Sequence, residues 1–240
     1  MDGKAPPPDD VRAELARLIG DVAACVRHEL DEGVTAIEAT PEPAVAPVQA
    51  KDVAKGLKEI AERVAACTRC PLHKTRTRTV PGQGATQPDI MFIGEGPGAD
   101  EDQQGLAFVG RAGQLLTKII AAMGYTRDEV FIGNIVKCRP PENRVPLPDE
   151  MQACIPYLEE QIALLRPKVI VALGATAIKG LLDVQTGITK LRGKWLVYRD
   201  TPLMPTYHPA YLLRNPAGKR DVWEDMKAVL AHLGRKPPKR

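Results

Sequence analysis

The chain is poor in aromatic residues. Phe, Trp and Tyr make up only 4% of its 240 residues, so its core must be built from Leu, Val, Ile and Ala. No apolar run approaches the roughly 18 residues that a membrane span needs. The opening stretch, MDGKAPPPDD, has no apolar centre of the kind a signal peptide carries. These two absences predict a cytoplasmic protein with no membrane partner. Neither sign of charge dominates: the formal net charge is +3, so any nucleic-acid contact must come from a local basic face rather than from the sum. There is no G-x-G-x-x-G and no P-loop, which argues against the common nucleotide-binding α/β proteins. There is no internal repeat, which excludes a solenoid. The chain has five cysteines, and in this setting they point to a metal or a cluster rather than to disulfides.

The length suffices for one sizeable core with a tail. The stretch that organises it is Gly94 to Gly110, GEGPGADEDQQGLAFVG. It follows a short apolar run, Ile90 to Ile93, that reads as a buried parallel strand. It precedes Ala112 to Met123, whose apolar residues fall at helical spacing. It is therefore a strand-to-helix loop, the place where open α/β sheets bind ligands. Gly94, Gly96 and Gly98 allow close backbone approach. Glu95, Asp100, Glu101 and Asp102 disfavour a phosphate cradle and favour a site that positions water or reads N–H donors. A Gly-rich turn with solvated acids is the alternative.

Residues 1–50 differ from the rest. Asp10 to Leu30 has helical spacing and carries Cys25 and His28; Glu38 to Ala50 is Pro- and Ala-rich and reads as an extended linker. Asp52 to Ala66 predicts an amphipathic helix. Val130 to Val136 is a second strand, Pro148 to Leu165 a helix with Asp149 as cap or first-turn acid, and Lys168 to Leu173 the clearest buried strand. Gly174 turns it into a helix over Ala175 to Leu182. Lys194 to Tyr198 and Leu203 to Tyr207 read as strands, and the last helix runs from about Gly218 to Leu233. Strands alternating with helices predict a three-layer α/β/α sandwich around a mainly parallel, doubly wound sheet. The expected organisation is an N-terminal extension over 1–50, a main domain over 51–234 and a basic tail over 235–240.

Cys67 and Cys70 form a C-x2-C knuckle at a helix end; Cys138 follows the second strand and Cys154 lies in the next helix. Four thiols without a well-placed histidine suit a four-cysteine zinc site or an iron–sulfur cluster, and their spacing does not separate the two. Buried cysteines without metal are the third possibility. Arg69, Lys74, Arg76, Arg78, Lys137, Arg139 and Arg144 surround these ligands in sequence. They form a candidate phosphate-contacting face, with an ordinary solvated surface as the alternative.

From about Ala61 to Leu233 the sequence resembles the family 4 uracil-DNA glycosylases, the iron–sulfur type of bacteria and archaea. The motifs that carry the likeness are C-x2-C, GEGPG-x2-ED followed by G-x2-FVG-x-AGQLL, then N-x3-C-RPPENR, the fourth cysteine, and HPAYLLR. The resemblance implies excision of uracil from DNA in base excision repair. It also implies a 4Fe-4S cluster on Cys67, Cys70, Cys138 and Cys154. Carried to matching positions, it places Glu95 and the Gly96 backbone at the catalytic loop, with Glu95 handling the attacking water. Phe108 would stack on uracil, Asn134 would bond its polar edge, His208 would face O2, and Glu101 would line the pocket beside C5. Relatives that trap uracil-DNA covalently use a histidine in an added Arg-rich loop. The segment KCRPPENRVPLPD has neither, which disfavours a binder without turnover; a broader glycosylase for deaminated bases is the other alternative. The stretch after His208, with Tyr211, Leu212 and Arg214, is a candidate wedge into the duplex. The expected state is a monomer on uracil-containing DNA, with residues 1–50 available to a repair or replication partner.

Overall fold

The structure is a computed structural model that describes residues 49–184 and 186–238, with a few isolated positions between 13 and 28. Cys25, most of the expected N-terminal helix and the linker through residue 48 lie outside the described residues. Contacts divide the chain into Met1–Pro47 and Val48–Arg240, and the sheet and its helices belong to the second unit.

The first helix, α1, spans Ala50–Ala65 and buries Val53, Ile60 and Val64 along one stripe, the spacing an amphipathic helix requires. After it come β1 (Gln83–Gly84), β2 (Ile90–Gly94), α2 (Ala99–Gln104), α3 (Arg111–Ala122) and β3 (Phe131–Asn134). Next are α4 (Pro148–Leu165), β4 (Val169–Leu173), α5 (Ala175–Leu182) and α6 (Ile188–Leu191). The chain closes with β5 (Leu196–Tyr198), β6 (Thr201–Thr206), α7 (Pro209–Arg214) and α8 (Lys219–His232).

The six strands lie in the order β1-β3-β2-β4-β6-β5. The inner four are parallel, while β1 and β5 add antiparallel edges. Side chains alternate across the sheet as the pleat dictates. Met91, Ile93, Ile170 and Ala172 face one side with α1, α4 and α5. Ile90, Phe92, Val169 and Val171 face the other with α3, α7 and α8. Both faces of the inner strands are thus covered, which is why β2 and β4 read as unbroken apolar runs. The result is the three-layer α/β/α sandwich expected from sequence.

The chain runs from β2 outward to β3 and then returns to β4 on the other side of β2. That reversal opens a crevice at the carboxyl ends of β2, β3 and β4, where doubly wound sheets hold ligands. At the start of α4, Pro148 takes the first turn and Glu150 accepts the Leu147 N–H at 2.8 Å. Glu150 therefore makes the N-terminal bond that Asp149 was a candidate for, and Asp149 sits beside it as a first-turn acid.

Candidate active site

Strand β2 ends at Gly94, in register with Asn134 at the end of β3. The pairing continues past both strands: Ile135 N–H donates to Gly94 O at 3.0 Å and Val136 N–H to Glu95 O at 3.1 Å. Asn134 and the GEGPG loop are therefore locked side by side. A Cβ on Gly94 would lie 2.5 Å from Asn134 Oδ1 and 2.5 Å from Phe108 Cζ. Only glycine leaves room for the amide and the ring to meet over this strand end. Asn134 is 1% exposed, and among the described residues its Oδ1 is a buried side-chain acceptor with no donor. Leaving such an atom unpaired costs about 1–3 kcal/mol, so an orphan of this kind calls for a specific explanation.

Phe108 reaches this point from the far end of the loop. Its backbone is left-handed, with φ 53°, a conformation disfavoured for a bulky residue. The start of α3 has room for that strained loop because Gly113 has no side chain: a Cβ there would lie 1.9 Å from Phe108 O. Glu101 braces the same loop. Its Oε1 accepts the N–H groups of Val109 and Gly110, both at 2.8 Å, and its Oε2 accepts the Gly98 N–H at 3.1 Å. Asp102, buried, accepts from Thr77 N at 2.9 Å. Two of the four loop acids thus read the protein's own N–H donors, a role their spacing did not reveal.

His208 follows β6 and caps α7. Its Nδ1 accepts the Ala210 N–H at 3.1 Å, so the neutral ring carries its proton on Nε2. Its ring centroid lies 5.6 Å from that of Phe108. Although half-buried, the ring is crowded by protein atoms. Burial first, and the positive charge of Arg214 second, push it down to about 4. The imidazole is neutral at physiological pH and is a donor rather than a cation. The strand end that carries it is fixed by Thr206, which donates to Asp225 Oδ2 at 2.6 Å; Asp225 in turn pairs with Arg192.

Glu95 is half-buried. Its Oε2 accepts the hydroxyl of Thr176 in the first turn of α5, a contact the sequence reading missed. Gly96 lies one residue on, where a Cβ would lie 2.7 Å from Val136 Cγ2. Asn134 and Phe108 thus meet over Gly94, His208 lies beside Phe108, and Glu95 and Gly96 follow Gly94 on the loop that Glu101 braces.

On the other face of the sheet, Cys67, Cys70, Cys138 and Cys154 line one narrow cavity with Arg69, Arg76, Lys137 and Tyr157. Arg76 Nη1 lies 3.1 Å from Cys138 Sγ, and Lys137 N–H donates to Cys154 Sγ at 3.2 Å. Burial pushes the Cys154 thiol up to about 11, against the pull of Lys137. At Cys67 burial also acts upward, but hydrogen bonds from Tyr157 and Arg69 outweigh it and the thiol is held below its ordinary range.

Lys137 does not belong to an exposed basic face. It is 0% exposed, and its Nζ donates to Asn134 O at 3.0 Å and Gln161 Oε1 at 2.7 Å. Burial pushes its ammonium down to about 8. Two other members of the expected belt also have internal tasks: Arg76 bonds Cys138, and Arg144 pairs with the buried carboxylate of Glu150. The wedge needs correcting as well. Leu212 is 1% exposed and packs in the core under α7, whereas Tyr211 and Leu213 are 38% and 39% exposed. A side chain held in the core cannot enter a duplex.

Residues 81–227 match the uracil DNA glycosylase superfamily. The chain is 49% identical to the type-4 uracil-DNA glycosylase of Thermotoga maritima over 72% of its own length and 93% of the relative's. It is 46% identical to the type-4 enzyme of Sulfurisphaera tokodaii, covering 72% of the chain and 83% of that protein. A type-5 uracil-DNA glycosylase of Pyrobaculum aerophilum is more distant, at 30% identity over 56% of the chain and 67% of the relative. Among the described residues no helix is long and apolar enough to cross a membrane. With Asn134, Phe108 and a neutral His208 converging at the strand ends, and relatives of this similarity over most of its length, the chain belongs to the type-4 branch of the uracil-DNA glycosylase superfamily.

Proposed function

We propose that the protein hydrolyses the N-glycosidic bond of uracil in DNA and leaves an abasic site, the opening step of base excision repair. The observation that carries this reading is the orphan Asn134 Oδ1. Uracil presents an N3–H between two carbonyls, and an acceptor fixed at the end of β3 suits that donor. Phe108 stacks on the extruded base, and His208 Nε2–H points its proton at O2. As the bond breaks, negative charge gathers on the departing base and positive charge on the sugar. A fixed neutral donor at O2 stabilises the first without having to shed water. Glu95 accepts from the attacking water and, by its charge, stabilises the second. The Gly96 backbone shapes the floor of the catalytic loop. Glu101 holds the loop that carries Phe108 and so shapes the wall beside C5.

The four cysteines are proposed to hold a 4Fe-4S cluster. All four thiols line one cavity, and four soft sulfur donors without a histidine are a ligand set that suits an iron–sulfur cluster; the likeness to the type-4 enzymes favours that cluster over zinc. When bound, it supplies a staple between the end of α1, the exit of β3 and the middle of α4. Iron and acid-labile sulfide in the purified protein, lost together in Cys154→Ser, are expected; a stoichiometric zinc content would refute the assignment.

The glycosylase reading is tested by incubating the protein with a labelled strand that carries one uracil and identifying any base released. Free uracil and an alkali-labile site are expected, with thymine and cytosine strands intact. An intact uracil strand, or a heat-stable protein–DNA band in place of free base, would overturn it.

A further inference from the structure

The turn between β4 and α5, Gly174-Ala175-Thr176, has no role in the reading above, yet two contacts place it inside the site. At its start Gly174 has φ +91°, and a Cβ there would lie 3.0 Å from His208 Cβ. The Gly174 N–H donates to Thr206 O at 2.9 Å, which ties the turn to the strand that leads into His208. Two residues on, the Thr176 hydroxyl donates to Glu95 Oε2. The turn therefore runs close beside the histidine at one end and bonds the carboxylate at the other.

Glu95 needs such a partner. Its backbone is tied to the exit of β3 by the Val136 N–H, but its side chain has several rotamers of similar energy. Proton acceptance from water depends on holding a carboxylate oxygen within hydrogen-bond reach and in line. A hydroxyl bound to Oε2 selects one rotamer and leaves Oε1 for the water. Partners of this kind, which act on a reacting group rather than on substrate, set geometry.

We infer that Thr176 is a positioning residue for Glu95, and that the Gly174–Thr176 turn sets the distance between the carboxylate and His208. The inference rests on Glu95 being the group that handles water. Hydrogen bonds to a charged group contribute about 1.5–3 kcal/mol, so Thr176→Val should slow turnover about 10- to 100-fold. KM should stay unchanged, because Thr176 touches no substrate. Thr176→Ser keeps the donor and should recover most of the rate. Thr176→Ala provides a second variant without the donor.

The experiment is a double-mutant cycle of single-turnover excision rates on a uracil strand, with Thr176→Val, Glu95→Gln and both together. The expected result is that the double variant is no slower than Glu95→Gln alone, since Thr176 acts only through that carboxylate. Glu95→Gln at the wild-type rate would refute the water-handling role and the inference with it. If Glu95→Gln is slow, three results would each overturn the positioning role alone: Thr176→Val at the wild-type rate, losses that multiply in the double variant, or no rescue by serine.

Discussion

His208 should make the folded protein acid-sensitive in a defined window. Burial and Arg214 hold the ring at about 4 in the folded chain, whereas an unfolded histidine titrates near 6.5. Between those values the unfolded chain binds a proton that the folded chain does not. Stability therefore rises with pH through the window and is lost as pH falls from about 6.5 toward about 4. Integrating the linkage relation between pH 7.5 and pH 5 gives a loss of about 2 kcal/mol from this one side chain. The assay is urea unfolding of the wild type and of His208→Gln at both pH values. Other titrating groups contribute equally to the two proteins, so the difference between their losses isolates His208. The wild type should lose about 2 kcal/mol more than the variant. Equal losses would refute the claim that the ring is held neutral by its surroundings. The catalytic counterpart is that turnover should persist through pH 6.5 with no step at that value, because the donor is already neutral there. A half-loss centred on pH 6.5 would mean an ordinary, solvated histidine.

Further outcomes follow from the same geometry. Gly174→Ala puts a side chain at φ +91° against His208, and turnover should fall at least about tenfold, read from single-turnover rates at matched folded fraction. Lys137→Ala strands two buried acceptors, Asn134 O and Gln161 Oε1; denaturant unfolding should register a loss of about 2–5 kcal/mol. Leu212→Ala should destabilise by about 2–5 kcal/mol and slow excision equally on single and double strands. We propose the exposed neighbour Leu213 as the wedge in place of Leu212: Leu213→Ala should leave stability within about 0.5 kcal/mol and slow the duplex reaction selectively, and equal fractional losses on both substrates would remove it from that role.

The long elements were legible in the sequence because burial on both faces leaves an unmistakable signature. Strand β4 is five consecutive buried residues, and α4 was bounded by Pro148 and by the loss of apolar periodicity after Leu165. The short pieces were not. Helix α2 is six residues, half of them acidic, and α7 is six residues opened by a proline; neither is long enough to show a period. The strand order could not be read either, since β2 and β4 carry the same apolar pattern whichever neighbour they take.

The site divides in the same way. Glu95, Asn134 and His208 lie in dense motifs, and the family resemblance those motifs carry is what singled them out. The Lys137 charge misled, because a lysine in a basic segment reads as exposed, and only the fold shows two carbonyl oxygens waiting for it. Leu212 and Leu213 are indistinguishable by composition; the direction of a helical turn decides which one is buried. Thr176 carries no motif at all. Its role depends on β4 lying beside β2, a neighbour relation that local sequence does not encode.

The central claim is that the unpaired Asn134 carbonyl reads uracil. Its most direct test compares single-turnover excision by the wild type and by Asn134→Ala on one strand that carries uracil. The wild type should release uracil and the variant should do so at a rate at least about 100-fold lower, with melting temperature unchanged. Equal rates in the two proteins would contradict the claim.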